Sequence, residues 1–330
     1  MNSSTLARNK RPVFVLGSPR SGTTLLYHML LSAGNFAMYR TESNVFNLLV
    51  PRFGDLSVPR NKQEMLKVWL GSKLYERSGL DAQEIQRKVM AECRSGGDFL
   101  RIVMGEMCRK QGVERWADCT PDHLLYLDQI KNTIPEALVI HIVRDGRDVA
   151  LSLEKQGWIR PFPGDRKNSV LVAGLYWEWI VTQGRDKGRA WGADYAEVHF
   201  EDLITNPRPT LAKLGEFIDH DLDYDRILKV GVGSVSDPNT SFKANGSGSF
   251  NPVGRWKSQF APGVLTKFES VIGNTLAALG YELSTERAAR NGRHFSSRRA
   301  AYHALYGSKL WLRRNTPLGR WLISDDLSYL

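Results

Sequence analysis

The sequence predicts an α/β fold with a mostly parallel central sheet and helices on both faces. Short apolar runs suited to buried strands recur at residues 13–16, 137–143 and 195–200. Each run is followed by a segment in which apolar residues repeat at helical spacing. Because such an alternation requires crossover connections, we expect parallel strands, with ligands bound beyond their carboxyl ends.

The first strand leads into a loop bounded by glycines. Residues 12–30 read PVFVLGSPRSGTTLLYHML, a strand, the loop GSPRSGTT and the start of a helix. Gly17 and Gly22 permit a tight turn in which backbone N–H groups and the positive end of the helix converge on one anion. A loop that binds nucleoside triphosphates would carry a lysine where Thr23 stands, and Arg20 is the only long cation within this loop. The pattern predicts that the loop binds a terminal phosphate or sulfate group without a metal ion.

A second anion site is predicted at the end of the strand ALVIHIV, which is followed at once by RDGRDVALSL. Arg144 follows this strand directly, and Ser152 lies on the next predicted helix. Together these two side chains are suited to hold a second phosphate. An ordinary ion-pair cluster within the same loop is the other interpretation, and its members would be Asp145, Arg147 and Asp148.

The remaining segments predict a helical insertion and a helical extension. We expect one α/β domain over residues 1–285, with helices inserted at about 55–115. Before the insertion, Thr41 or Ser43 is predicted to cap a short helix. Residues 286–330 are predicted to form a basic helical C-terminal extension of the same domain. From Arg287 to Arg320 the sequence contains nine Lys or Arg and no Asp or Glu, and the whole chain has a net charge of +10.

Composition excludes several classes of protein. An apolar fraction of 42% and a charged fraction of 24% are typical of globular enzymes. No apolar run is long enough to cross a bilayer or to form a signal-peptide core, so we expect a cytoplasmic protein. Three cysteines without C-x-x-C spacing and histidines without a metal-binding motif argue against a disulfide framework or a metal site.

The basic extension leaves several interpretations open. A solvated helical face is the plainest of them, and we expect no nucleic-acid partner. The mixture of aromatic residues and arginines would also suit a peripheral contact with a membrane surface, the wall of a substrate cleft or a contact between the subunits of a homodimer.

Taken together, GSPRSGTT and HIVRDGRDVALSL resemble the paired signatures of sulfotransferases that use 3′-phosphoadenosine 5′-phosphosulfate (PAPS). The resemblance extends from about Pro12 to Tyr281. Its arginine-type loop is closest to the protein-tyrosine sulfotransferase and bacterial branches. The resemblance implies transfer of a sulfuryl group from PAPS to a hydroxyl or amine by in-line displacement without a metal. Adenosine 3′,5′-bisphosphate (PAP) would be the product.

The resemblance also implies which residues bind the donor. The arginine and serine of the second signature, Arg144 and Ser152, would hold the 3′-phosphate. Phe200 stands where relatives often have a tyrosine near the adenine, and Arg255 and Trp256 resemble a late basic and aromatic segment that closes over the nucleotide. The phosphosulfate loop would comprise Pro19, Arg20, Ser21, Gly22, Thr23 and Thr24.

For the chemistry, Arg20 would neutralise charge on the leaving group, and a carboxylate or imidazole would accept the proton of the acceptor hydroxyl. The resemblance favours Glu42 as this base, with Asp122 and His123 in reserve. Cys119 is a departure, because many relatives have a lysine there; another cation such as Arg40 would have to substitute. The acceptor itself, a small molecule, a carbohydrate or a peptide hydroxyl, is left open.

Two other functions are considered. A kinase or nucleoside triphosphatase is disfavoured by the missing lysine and by the pair Arg144 and Ser152. A nucleotide-binding relative that has lost catalysis stays open because of Cys119.

Overall fold

A computed structural model describes residues 6–235, 252–285, 294–316 and 318. Its centre is a five-stranded sheet in the order β2-β3-β1-β4-β5, and every pair of neighbouring strands is parallel. The predicted fold class is therefore confirmed. The strands are β1 (Val13–Leu16), β2 (Phe36–Ala37), β3 (Arg115–Asp118), β4 (Leu138–Val143) and β5 (Tyr195–His199).

Helices fill most of the remaining described chain. Those that follow the strands directly are α1 after β1, α8 after β4 and α10 after β5. In chain order the helices are α1 (Thr23–Ala33), α2 (Val50–Phe53), α3 (Pro59–Leu70), α4 (Lys73–Ser78), α5 (Ala82–Glu92), α6 (Gly96–Gln111), α7 (Leu127–Thr133), α8 (Gly146–Gln156), α9 (Ser169–Gly188), α10 (Phe200–Thr205), α11 (Pro207–Ile218), α12 (Tyr224–Val230), α13 (Trp256–Gln259), α14 (Pro262–Ala278) and α15 (His294–Asn315).

Both faces of the sheet are covered by helices, as the alternating side chains of β1 show. Val13 and Val15 pack on one face with residues of α1, α11 and α12. Phe14 and Leu16 pack on the other face with residues of α3, α5 and α6. All four side chains are fully buried. The helices α3 to α6 lie in the segment where the sequence predicts an insertion, and they contribute a large part of this second core.

Two strands were missing from the sequence prediction, β2 and β3. The sequence of β3, RWAD, contains two charged residues, yet all four residues are buried. Arg115 is buried because Nε donates to the carbonyl of Arg11 at 2.7 Å and Nη2 donates to the carbonyl of Arg8 at 3.1 Å. Its guanidinium also lies 5.2 Å from the centre of the Phe36 ring. These partners are distant in sequence, so no local pattern indicates that a charged tetrapeptide becomes a buried strand.

The basic helix α15 packs on the body of the protein. On α9, the buried Glu178 carboxylate accepts a hydrogen bond from Arg299 Nε at 2.7 Å and lies 3.2 Å from His303 Nε2. Tyr302 OH donates to Asp165 Oδ2 at 2.9 Å. Several basic residues of the predicted extension are therefore paired with acids of the same chain. Within the described residues, no helix combines the length and apolarity needed to span a membrane.

Candidate active site

The glycine-bounded loop joins β1 to α1 at the carboxyl edge of the sheet. A Cβ atom on Gly17 would lie 2.5 Å from the carbonyl oxygen of Ile142. Gly22 has φ of +100°, and a Cβ there would lie 2.3 Å from the Phe200 ring. Glycine is thus required at both positions, because the loop backbone approaches β4 and Phe200 too closely for any side chain.

The start of α1 is open to an anion. Gly22 precedes the helix, and no side chain caps its first N–H groups. Thr23 is buried whereas Thr24 is exposed. The hydroxyl of Ser21 is buried and has no hydrogen-bond partner within the described residues. These uncommitted donors at the positive end of an 11-residue helix are suited to bind phosphate or sulfate.

Arg20 and Arg144, predicted at two separate strand ends, belong to one site. Arg20 Nε lies 2.9 Å from Ser152 Oγ and donates a hydrogen bond to it. Arg144 Nη1 donates to the backbone carbonyl of Arg20 at 2.9 Å. The structure therefore brings the two predicted anion sites together at adjacent strands, β1 and β4.

Arg144 is held rigidly and is nearly buried. Nη2 donates to the carbonyl of Pro252 at 2.6 Å, and the guanidinium lies 4.3 Å from the centre of the buried Phe200 ring. Burial and the positive charges of Arg255 and Arg20 together lower the pKa of Arg144 to about 10, although the Asp148 and Glu201 carboxylates oppose this shift. Its Nε has no hydrogen-bond partner in the described part of the chain. Phe200 thus braces Arg144, and its predicted contact with adenine stays a prediction.

The ion-pair cluster proposed for the loop after β4 is also present, but it does not use Arg144. Arg147 pairs with Asp145 at 2.8 Å and with Glu269 at 2.7 Å. The Asp148 carboxylate accepts the backbone N–H of Trp256 at 3.0 Å. Asp145 and Arg147 of the predicted ion-pair cluster are therefore paired, whereas Asp148 bonds to Trp256; the phosphate site predicted at Arg144 and Ser152 stays a prediction.

Arg255 and Trp256 lie against α8. Arg255 Nη2 donates to the backbone carbonyl of Asp148 at 3.2 Å. Burial lowers the pKa of Arg20, and the charge of Arg255 lowers it further, so these two guanidinium groups lie near each other. Trp256 is buried, with the Arg147 guanidinium 3.6 Å from its ring centre. Two further residues that are predicted to bind the nucleotide are Pro19, in the loop after β1, and Ser152, on α8.

Glu42 follows β2, the outer strand at one end of the sheet. Arg144 and Phe200 follow β4 and β5 at the other end. The Glu42 side chain keeps contact with solvent. The densely packed surroundings nevertheless raise its pKa to about 7, with contributions from the Asp122 and Asp118 carboxylates. A carboxylate with this pKa is suited to accept a proton near neutral pH.

A hydrogen-bond network fixes the segment that contains Glu42. Thr120 Oγ1 accepts the backbone N–H of Ser43 at 2.9 Å and donates to Asp118 Oδ1 at 3.2 Å. The turn Val45–Leu49 is π-helical and starts at Asn44 without a side-chain cap. The prediction that Thr41 or Ser43 caps a helix here is therefore wrong, because Thr120, distant in sequence, holds this segment instead.

His123 is completely buried and both of its ring nitrogens are engaged. Nε2 accepts the backbone N–H of Phe46 at 3.1 Å, so Nδ1 carries the proton and donates to Asp118 Oδ2 at 2.9 Å. This arrangement positions the loop that bears Glu42. It leaves His123 less suited than Glu42 to accept a proton from a substrate.

No cation replaces the family lysine at Cys119 itself. Burial raises the pKa of the Cys119 thiol well above its usual value, as do the Asp118 and Glu42 carboxylates, so the thiol stays neutral. Arg40, the alternative cation, is exposed, and its Nε lies 3.1 Å from Met38 Sδ. All three cysteines are free and buried thiols. Among the described residues, no group of three or more His, Cys, Asp or Glu side chains is arranged to hold a metal ion.

Sequence reasoning missed Trp158, which lies at the rim of the site. It is 56% exposed, and the Arg20 guanidinium lies 5.8 Å from its ring centre. It follows Gly157, which ends α8 in the left-handed conformation. The sequence feature that could have indicated Trp158 is its position just beyond the predicted helix that carries Ser152.

The close packing at Gly22 can be tested by substitution. Gly22→Ala introduces both positive-φ strain and a clash with Phe200, and should lower the free energy of unfolding by about 2 to 4 kcal/mol. Gly112→Ala is the matched control, because Gly112 is also left-handed, with φ of +65°, but has nothing within 4 Å of an added Cβ. Urea denaturation should show a loss of only about 1 kcal/mol for the control. Equal losses in the two variants would contradict the packing described here.

Comparison with known proteins gives a consistent result. The family model described as "Sulfotransferase family" matches residues 12–224. The sulfotransferase domain from the Synechococcus PCC 7002 olefin synthase superposes with a TM-score of 0.57 at 20% identity, covering 83% of this chain and 96% of that chain. The sulfotransferase domain from the curacin biosynthetic pathway superposes with a TM-score of 0.54 at 17% identity, covering 82% of this chain and 98% of that chain. At these identities the two structures show the fold. No curated protein matches the sequence.

Proposed function

The chain belongs to the sulfotransferase family, and we propose that it transfers a sulfuryl group from PAPS to a hydroxyl or amine acceptor by in-line displacement without a metal. PAP is then the product. Family membership supports the general reaction, sulfuryl transfer. Beyond family membership, we propose the identity of the donor, the residues that bind it and the route of the proton.

The convergence of Arg20, Arg144 and Arg255 supports this donor most strongly. Burial lowers the pKa of all three guanidinium groups, the charge of Arg255 also lowers that of Arg20, and the charges of Arg255 and Arg20 lower that of Arg144. Such a cluster of buried positive charge is unfavourable unless anions bind to it. PAPS has anionic groups at both the 5′ and the 3′ position. Since Arg144 bonds directly to the backbone of Arg20, a single nucleotide can reach both arginines.

The described side chains fit such a ligand. Ser21 Oγ and Arg144 Nε are buried and have no hydrogen-bond partner within the described residues, so both are available to phosphate or sulfate oxygens. Residues Pro19 to Thr24 would hold the phosphosulfate. Arg144 and Ser152 would hold the 3′-phosphate, with Arg255 beside them and with Phe200 and Trp256 supporting the cations.

The chemistry divides between the loop after the central strand β1, which carries Arg20, and the segment after β2, which carries Glu42. When bound, the donor supplies the sulfuryl group together with a phosphate leaving group. Arg20 and the N–H groups of its loop stabilise the negative charge that grows on that leaving group. Glu42 accepts the proton of the acceptor hydroxyl, and its pKa of about 7 leaves much of it ionised at neutral pH. Asp118, Thr120 and His123 keep the Glu42 segment in place.

Calorimetric titration tests the proposal against a kinase or nucleoside triphosphatase. We expect PAP to bind without Mg²⁺ with a Kd on the order of 1 μM, and adenosine 5′-monophosphate to bind at least about 30-fold more weakly because it lacks the 3′-phosphate. Binding of ATP that depends on Mg²⁺, without binding of PAP, would show a triphosphate enzyme instead.

A second measurement separates catalysis from binding alone. The full chain is incubated with ³⁵S-labelled PAPS and a mixture of small-molecule hydroxyl compounds, and labelled products are separated by chromatography. The proposal requires a labelled product whose amount grows with enzyme concentration. PAP binding without any transfer would identify the chain as a relative that has lost catalysis.

A further inference from the structure

A cluster of polar side chains lies next to Glu42, where the turn Pro121–Tyr126, α9 and α15 meet. We name it the turn-helix cluster and define it by Asp122, Tyr126, Tyr176, Tyr306 and Arg313. The rings of Tyr176 and Tyr306 are 5.3 Å apart and meet edge to face. Burial raises the pKa of Asp122 and of Tyr126, and the nearby Arg313 charge opposes both shifts. The C-terminal helix thus places a cation against the turn that follows β3.

Several buried atoms in this cluster have no hydrogen-bond partner. Within the described residues this holds for Asp122 Oδ1, Tyr126 OH and Tyr306 OH. Tyr126 is only 1% exposed. Buried polar atoms are normally paired, because leaving them unpaired costs free energy. Three such atoms, two on the turn Pro121–Tyr126 and one on α15, point to a polar ligand that completes their hydrogen bonds.

The cluster is continuous with the candidate base. The backbone N–H of Ser43, next to Glu42, donates to Thr120 Oγ1 at 2.9 Å, and that of Phe46 donates to His123 Nε2 at 3.1 Å, so the Glu42 segment is bonded to the turn that contains Asp122. Glu42 and Asp122 follow β2 and β3, whereas Arg144 and Phe200 follow β4 and β5 at the other end of the sheet. The cluster therefore lies beside Glu42 at the β2 and β3 end of the sheet edge, whereas Arg144 and Phe200 lie at the β4 and β5 end.

We propose that the turn-helix cluster is the acceptor subsite and that it binds a neutral, hydroxyl-rich molecule of the saccharide class. This inference rests on the proposed sulfuryl transfer and adds the identity of the acceptor class. Asp122 accepts a hydrogen bond, Arg313 donates, and the tyrosine hydroxyls do either, which matches the alternating donors and acceptors of neighbouring sugar hydroxyls.

Charge and polarity narrow the class of acceptor. Three carboxyl groups, Asp118, Asp122 and Glu42, lie on this side of the site. Of the nearby guanidinium groups, Arg313 faces Asp122. Arg314, 5.5 Å from the centre of the Tyr126 ring, is bonded to Asp128, and the exposed Arg77 donates to Thr41. This acidic excess disfavours an acceptor that carries a carboxylate, phosphate or sulfate. A wholly apolar acceptor is disfavoured for another reason, because it would leave the buried hydroxyls and Asp122 Oδ1 unpaired.

The test uses the full chain, labelled PAPS and matched acceptors. Phenyl β-glucoside and phenyl β-galactoside are compared with the corresponding phenyl uronides, which differ by one carboxylate, and with 4-nitrophenol as an apolar acceptor. We expect the two neutral glycosides to be sulfated with kcat/KM at least about tenfold above that of the uronides and of 4-nitrophenol.

Variants on one helix locate the subsite. Arg313→Ala should lower kcat/KM for the glycosides by about tenfold or more, and Tyr306→Phe, which removes only a hydroxyl, by several-fold, with the Kd of PAP unchanged in both. Lys309→Ala is the matched control, because Lys309 is exposed on the same helix and the change removes the same charge. Asp122→Asn should reduce the ratio of kcat/KM for phenyl β-glucoside to kcat/KM for the corresponding phenyl uronide.

The outcomes distinguish this inference from the proposed function. Failure of the parent chain to bind PAP would overturn the donor assignment itself. Binding of PAP together with a preference for the uronides or for 4-nitrophenol, or with no use of the glycosides, would overturn the acceptor class. Equal effects of Arg313→Ala and Lys309→Ala, or loss of PAP affinity in folded Arg313→Ala, would overturn the location of the subsite.

Discussion

Glu42→Gln is expected to lower kcat for sulfuryl transfer by about 10²- to 10⁴-fold, while the Kd of PAP stays within about twofold of the parent value. The amide is similar in size to the carboxylate but cannot accept the proton of the acceptor hydroxyl. Glu42 lies at the end of the sheet edge away from Arg144, so its substitution should not disturb the donor residues. Initial rates with labelled PAPS and calorimetry with PAP measure the two quantities.

The pH dependence of kcat/KM tests the role of Glu42 as the base independently. Because the pKa of Glu42 is raised to about 7, the ionised base becomes scarcer at lower pH. In the parent chain kcat/KM should rise about tenfold per pH unit up to about pH 7 and then level off. Glu42→Gln should lack this rise. A parent profile that is flat between pH 5 and 8 would contradict the assignment of Glu42 as the base.

Stability provides a readout that does not depend on turnover. A carboxyl group whose pKa is higher in the folded state than in the unfolded state lowers the free energy of unfolding of the protein as pH rises from about 4.5 to about 7. Glu42→Gln removes this loss, so the variant should be more stable than the parent above pH 7, and the difference should shrink toward pH 4. Glu64→Gln, at an exposed pair with Arg60, is the matched control and should show no such trend.

The parts of the fold that were predictable depend on local sequence. The runs that form β1, β4 and β5 consist largely of apolar residues suited to burial, and their order with the following helices was enough to predict a parallel sheet. The strand β3 was missed because its arginine is buried through hydrogen bonds to backbone carbonyls far along the chain. A short charged segment of this kind becomes a strand through tertiary partners.

In the candidate site, too, some parts depend on local sequence and others on contacts between distant residues. The positions of the glycine-bounded loop and of Arg144 and Ser152 each depend on a strand, a tight turn and a helix that are adjacent in sequence, so these positions were predictable. The surroundings of Glu42 depend on contacts between residues far apart, such as the bond from Ser43 to Thr120. The approach of Arg313 to Asp122 spans more than half the chain, and composition alone showed only that the C-terminal segment is basic.

Arg144→Leu is expected to raise the Kd of PAP by about 30- to 1000-fold, which corresponds to a loss of about 2 to 4 kcal/mol for a buried guanidinium that contacts a phosphate. Arg144 also donates to the carbonyl groups of Arg20 and Pro252, so the substitution removes two structural bonds as well. The measurement must therefore separate recognition of the phosphate from support of the loop.

A comparison of two nucleotides makes that separation. Adenosine 5′-monophosphate lacks the 3′-phosphate but retains the group proposed to bind at Arg20. If Arg144 holds the 3′-phosphate, Arg144→Leu lowers the affinity for PAP at least about tenfold more than the affinity for the monophosphate. Ser152→Ala should show the same selectivity with a smaller loss of about three- to tenfold, because it removes one neutral hydroxyl. Equal losses for both nucleotides would mean that Arg144 acts by bracing the loop, and the 3′-phosphate site would then lie elsewhere.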